Sequence, residues 1–232
     1  LHRTSNSGSP HSAIAQTGVF RYLRAAQARL GYEVAKFDND VVNEFTPRMG
    51  NGFTRWIGDV ILRMTGWKVS GSFPKEKKLI FIGAPHTSNW DLIIIMAGFL
   101  SVGLKASWMM KKEAFFWPFG GLWKRLGGIP IDRSKKNDVT TQIADWFNDN
   151  DNVWLGLTPE GTRSKVERFK KGYLRMAYAA NVPVFVVGVH APTKELILDK
   201  VWDLTFDTDT DNRKIKAYYN KTYQGIRPEL GI

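Results

Sequence analysis

Apolar residues first recur with a clear period at Phe53, Trp56, Ile57, Val60, Ile61 and Met64. Spacings of three and four place them on one helical stripe, and Gly66 is a natural stop. Such a stripe either packs on its own domain or lies in a bilayer interface. Trp56, Trp67 and the basic Arg55, Arg63 and Lys68 favour the second reading. Beyond Gly71, short apolar runs alternate with longer periodic ones. Strands are predicted at Leu79–Gly83, Ala106–Met110, Ile129–Ile131, Val153–Leu157 and Val184–Val189. Helices are predicted at Asn89–Val102, Glu113–Leu126, Val139–Asn148, Phe169–Ala180 and Asp211–Tyr219. Strand–helix alternation of this kind makes βαβ units. The predicted fold class is α/β: a mainly parallel central sheet flanked by helices and preceded by an amphipathic N-terminal helical segment.

The longest apolar run, Leu92 to Leu104, is shorter than the roughly 20 residues a membrane-spanning helix needs. Residues 1–12 are polar and rich in turn formers, which predicts disorder. Ile14 to Tyr32 carries Arg21, Arg24 and Arg29 without an acid, either an organellar transit peptide or an extension ahead of a domain that begins near Met49. Residues 1–46 are therefore expected to be a non-catalytic leader and residues 47–232 the catalytic domain.

The chain of 232 residues has no cysteine, which excludes a disulfide scaffold, a thiolate metal site and a cysteinyl acyl-enzyme. Its formal charge of +11 points to an anionic partner. Nine Trp, 14 Phe and seven Tyr suit a membrane interface. Residues 105–136 hold eight basic residues against two acids and residues 163–175 six against one, whereas 194–211 holds six acids against two lysines. Nucleic acid is not the expected partner, because no helix-turn-helix, zinc or RNP-like signature accompanies the charge.

Ligands of open α/β sheets bind beyond the carboxyl ends of the strands. Three predicted strands end in reactive side chains: His86 and Asp91, Asp132 and Arg133, Glu160 and Arg163. His86 and Asp91 can meet only across a strand-to-helix turn. There Asp91 falls in the first helical turn, whose dipole favours the carboxylate, and an imidazole so oriented is a base. The competing reading is a surface histidine beside a helix cap.

The sequences PHTSNWD, GGIPIDRS, TPEGTRS and VPVFVVGV, in that order, resemble the four motif blocks of the glycerolipid acyltransferases, the lysophosphatidic-acid acyltransferase family. The intervening KKEAFFWPFGGLWKRLGG is also similar to that family, and the short form is similar to bacterial lysophospholipid or glycerol acyltransferases. The resemblance implies transfer of a fatty acyl group from acyl-CoA or acyl carrier protein to a hydroxyl of a lysophospholipid or glycerol-phosphate acceptor. It makes His86 the general base and Asp91 its orienting partner. Arg133 would bind the acceptor's phosphate, Glu160, Gly161 and Arg163 the glycerol backbone and phosphate, and Pro183 would shape the acyl-donor side. Thr162, in the third block, and Lys171, in the basic run after it, are further substrate-binding candidates.

The family's amphipathic N-terminal helices dock on membranes. This chain is accordingly expected on an anionic surface at the inner face of the cytoplasmic membrane, or in an organelle if the leader is an import signal. No cofactor or metal is expected, since a thiolate leaves unaided. Pro85, Thr158 and Val186 depart from the residues common at their positions and leave the acceptor open. The nearest enzymatic alternative is an acyl-CoA thioesterase; a non-enzymatic nucleic-acid- or lipid-binding module is the other.

Overall fold

The computed structural model describes residues 41–230 apart from 133, 135–138 and 163, all within one unit, Asp40–Ile232. The expectations for residues 1–40 lie outside the described residues. Residues 41–46, placed by the sequence in the leader, are docked on the domain. Phe73 donates its N–H to the Val41 carbonyl at 2.9 Å. The Asn43 amide donates to the carbonyls of Phe73 and Pro74 at 2.9 and 3.1 Å, and Thr46 is buried.

The amphipathic segment is helix α1 (Gly52–Thr65), opened by a capping box between Asn51 and Thr54 and closed by Gly66 in the left-handed region. Strands β1 (Lys68–Gly71) and β2 (Lys78–Ala84) follow, then helix α2 (Asn89–Val102) and strand β3 (Ala106–Lys111). A 3₁₀ turn (Lys112–Ala114), helix α3 (Phe119–Leu126) and strand β4 (Gly128–Ile131) lead to α4 (Val139–Asn148) and β5 (Val153–Leu157). The chain continues through α5 (Gly172–Ala180), β6 (Val184–His190), β7 (Glu195–Trp202) and α6 (Thr208–Thr222). The sheet runs β1-β7-β6-β2-β5-β3-β4, and every neighbouring pair is parallel except β6 with β7. Among the described residues no helix is long and apolar enough to cross a membrane.

Alternation along β2 shows why the sheet needs cover on both sides. Ile80 and Ile82 join Val184, Val186, Ile143, Leu174 and Ile215 in one core, under α4, α5 and α6. Leu79 and Phe81 join Phe185, Val187, Leu62 and Ile94 in the other, under α1 and α2. Those two helices meet closely at Gly58, where an added Cβ would stand 2.5 Å from the Ala97 carbonyl oxygen and the Ser101 nitrogen. Because the obstruction is backbone, Gly58→Val is expected to cost about 2 kcal/mol, read as a lowered denaturation midpoint. The α1 stripe is divided: Ile57, Val60 and Ile61 are half-buried, while Phe53, Trp56 and Met64 stay exposed.

Two predicted helices begin later in the structure, and β7 is a strand that the sequence reading did not predict. The helix expected over Glu113–Leu126 is broken, because Pro118 lacks an N–H and disfavours helical backbone at Trp117; the helix proper starts at Phe119. The helix expected from Phe169 starts at Gly172, since the Lys170 N–H is held by the Pro159 carbonyl at 2.8 Å. β7 runs through a stretch whose acids and lysines mask its pattern. Leu196 and Leu198 alternate into the core, and β1 pairs against them with only four residues.

Candidate active site

β2 ends at Ala84, and the turn Pro85–Ser88 carries the chain into α2. Ser88 caps that helix, its hydroxyl accepting the Trp90 N–H at 3.2 Å. Asp91 closes the capping box from inside the helix: its Oδ2 accepts the N–H groups of Thr87 at 2.5 Å and Ser88 at 2.6 Å. The same oxygen stands 3.7 Å from His86 Nδ1, ion-pair reach but longer than a hydrogen bond. His86 and Asp91 thus meet across a strand-to-helix turn, and the same Asp91 is part of the helix cap. The helix cap is the device that brings the carboxylate to the imidazole.

Asp91 is fully buried and the His86 side chain is 18% exposed. Burial pushes the Asp91 carboxyl up from its ordinary range, against the pull of the Ser88 and Thr87 amides and the imidazole. That direction opposes the simple helix-dipole expectation. Two amides donating to Oδ2 still require that oxygen to be unprotonated, so a proton could reside only on Oδ1, which is buried without a hydrogen-bond partner. Asp91→Asn can keep both amide bonds through a carbonyl at the Oδ2 position, with its N–H₂ at the buried Oδ1 position, but it removes the negative charge that faces Nδ1. An imidazole without that charge beside it is less able to take up a proton. Turnover is expected to fall by roughly 10²-fold or more with little change in melting temperature.

β5 is the parallel neighbour of β2, so the turn after Leu157 reaches the turn after Ala84. Glu160, 3% exposed, accepts the backbone N–H of His86 with both oxygens, at 2.9 and 3.2 Å. Burial raises its pKa from 4.5 to about 7. The Asp91 charge adds to the rise, while the His86 amide and Lys216 oppose it. Gly161 sits at φ +63°, where a Cβ would meet the Lys170 side chain, and its N–H donates to Thr158 at 3.2 Å. The glycine lets the third motif fold back beneath His86.

The remaining candidates are scattered. Thr162 is exposed, and its hydroxyl accepts the Ser164 N–H at 3.3 Å. Lys171 pairs with Asp209 of α6. Asp132 accepts from the Ser134 N–H and hydroxyl and stands 3.9 Å from Lys112, while its backbone is clamped by Gln142. It follows β4, three strand positions from β2, hence about 14 Å away. Arg133 and Arg163 lie outside the described residues. Pro183 precedes β6 and accepts the Ile80 N–H at 3.0 Å, at the strand ends opposite His86.

Two neighbours of the site were not singled out from sequence. Thr87 accepts the Arg227 N–H at 3.1 Å and donates to Asp91 at 3.4 Å. Gly225 packs so closely that a Cβ would stand 2.7 Å from Thr87. A segment past α6 therefore buttresses the His86 turn from more than a hundred residues away, and no local pattern announces it. Lys216 faces Glu160 electrostatically from within α6. Among the described residues no group of three His, Asp or Glu is placed to hold a metal ion.

The acyltransferase family model matches residues 67–190, more than half of the chain. The span covers all of the site just described except the buttress past α6 and Lys216. The chain is also similar to the crystal structure of the 1-acyl-sn-glycerophosphate (LPA) acyltransferase PlsC from Thermotoga maritima. The TM-score is 0.54 and the identity 18%, over 73% of this chain and 76% of that one, a likeness of fold. No curated protein sequence matches the chain.

Proposed function

This chain belongs to the acyltransferase family, and from that premise we propose that it esterifies a hydroxyl of a phosphorylated glycerolipid such as 1-acyl-glycerol 3-phosphate. The acyl group would come from acyl-CoA or acyl carrier protein. One observation carries the reading: a half-buried imidazole at the carboxyl end of a central strand, with a fully buried carboxylate facing its Nδ1. That pairing leaves Nε2 to act. Nε2 takes the proton of the acceptor hydroxyl as the oxygen bonds to the thioester carbonyl carbon. The tetrahedral oxyanion collapses, the carbon–sulfur bond breaks, and the thiolate leaves with the proton returned from the imidazolium. General-base help of this kind is worth roughly 10²–10⁴-fold.

The proposal includes no cofactor, because every electron pair and proton in these steps is accounted for by thioester, alcohol and imidazole. The basic stretches 105–136 and 163–175 supply cations for the acceptor's phosphate, with Arg133 and Arg163 the proposed ligands beside Gly161, Thr162 and Lys171. The partner surface is an anionic membrane, at the inner face of the cytoplasmic membrane, where acceptor and product reside.

The test is thiol release from a long-chain acyl-CoA, with and without lysophosphatidate. Release that requires the acceptor and yields phosphatidate supports the proposal. Acceptor-independent release would replace it with a thioesterase.

A further inference from the structure

The crossover from β3 to β4 is ordered yet uncovered. No residue from Lys111 to Leu126 is buried, although seven of the sixteen are aromatic or leucine, at positions 115, 116, 117, 119, 122, 123 and 126. Trp117 is 91% exposed, and Phe116, Phe119 and Leu122 are about half exposed. This is not a loose loop. The Phe115 N–H donates to Lys112 at 3.1 Å and the Gly120 N–H to Phe116 at 2.8 Å. Gly120 lies so close to the Phe115 carbonyl that a Cβ would stand 2.7 Å from its oxygen. Phe116 and Phe119 pack edge to face at 5.6 Å. The result is a fixed apolar knuckle.

Exposed Lys111, Lys112, Lys124 and Arg125 surround it, with Glu113 the one acid between them. An aromatic tip inside a cationic collar fits the layered chemistry of a lipid surface. Rings sit at the headgroup level, and ammonium and guanidinium groups pair with anionic headgroups. A second protein copy would have to desolvate those four cations and meet them with acids.

We propose that Phe116, Trp117, Phe119 and Leu122 form a bilayer anchor that enters the interface of an anionic membrane, independently of α1. The anchor rests on the proposed membrane-lipid function and adds to it a specific surface. The segment runs directly into Gly127–Asp132, so anchoring it sets the second motif against the lipid from which the acceptor comes.

The chain has no cysteine, so Trp117→Cys carries a single polarity-sensitive fluorophore, with Lys75→Cys, ahead of β2, as control. On phosphatidylcholine vesicles containing phosphatidylglycerol, the label at 117 is expected to shift to the blue and the label at 75 to stay unchanged. Phe116→Ser/Trp117→Ser in the full chain is expected to weaken sedimentation with those vesicles by about tenfold or more. Added salt should weaken binding of the unaltered chain. An unshifted label at 117, or vesicle binding undiminished in the double variant, overturns the anchor. So does a double variant that loses a dimer rather than vesicle affinity. Acyl transfer in detergent is measured alongside. If it fails while vesicle binding still depends on Trp117, the substrate reading falls and the anchor stands; intact transfer with undiminished binding is the reverse.

Discussion

Replacing His86 with alanine is expected to lower acyl transfer by about 10²–10⁴-fold while leaving the chain folded. The fold should survive because the backbone bonds that hold the turn do not depend on the imidazole. The N–H that Glu160 accepts persists in the variant, as do the Thr87 and Ser88 bonds to Asp91 that start α2. Among the described residues no other imidazole is placed to substitute. His190 ends β6 with its Nδ1 2.8 Å from the Thr193 hydroxyl, and it lies outside the Asp91–Glu160 pair. The measurement is steady-state turnover with a fixed acceptor, together with a denaturation curve. A folded variant with near-normal turnover would remove the general base from the mechanism.

Glu160 makes the second large expectation, and it concerns stability as well as rate. Its folded pKa, about 7, lies above the ordinary 4.5. Below pH 4.5 both folded and unfolded chains hold the proton, and the contribution of this carboxyl to stability is whole. As the pH rises toward 7 the unfolded chain releases its proton first, so stability is lost, by up to about 3 kcal/mol above pH 7. Glu160→Gln cannot ionise and escapes that loss. Between pH 4 and pH 8 its unfolding free energy should therefore rise relative to the unaltered chain by a few kcal/mol. Parallel pH curves would show that Glu160 is not held in this environment.

The same pair of variants assigns its role. The amide keeps an oxygen for the His86 N–H, so the acceptor's KM should stay unchanged and kcat should change little. Glu160→Ala leaves that N–H without its acceptor, at a cost of about 1–3 kcal/mol, and frees the turn that carries the base. A displacement of that kind is expected to lower kcat by about 10² with KM again unchanged. If Glu160 instead grips the glycerol backbone, as the family resemblance implies, KM would climb in both variants.

The elements legible from sequence are those whose signals are local. α2 and β5 have the predicted limits because Ser88, Asp91 and Gly103 mark the ends of one, and five apolar residues between polar flanks mark the other. α4 likewise matches the predicted limits. β7 was hidden because Glu195, Asp199 and Lys200 interrupt its apolar residues, leaving only Leu196–Leu198 as a continuous apolar run, too short to mark a strand. The pairing of His86 with Asp91 was legible across five residues. That of His86 with Glu160, 74 residues apart, was not, since it depends on β5 lying beside β2. The pairing of Lys171 with Asp209 of α6 was hidden in the same way, since it joins residues far apart in the sequence.

The capping box at the start of α2 has a consequence for observing the enzyme at work. Asp91 receives two backbone protons, those of Thr87 and Ser88, on the oxygen that faces the imidazole. Those protons trade with solvent only when the first turn of the helix opens, and their chemical shifts follow the charge on that oxygen. In the proposed mechanism the imidazole takes up a proton as the acceptor reacts; Oδ2 would then face a cation, and both amides would register it. Two amide resonances, on residues that need no substitution, thus form a built-in gauge of His86 protonation.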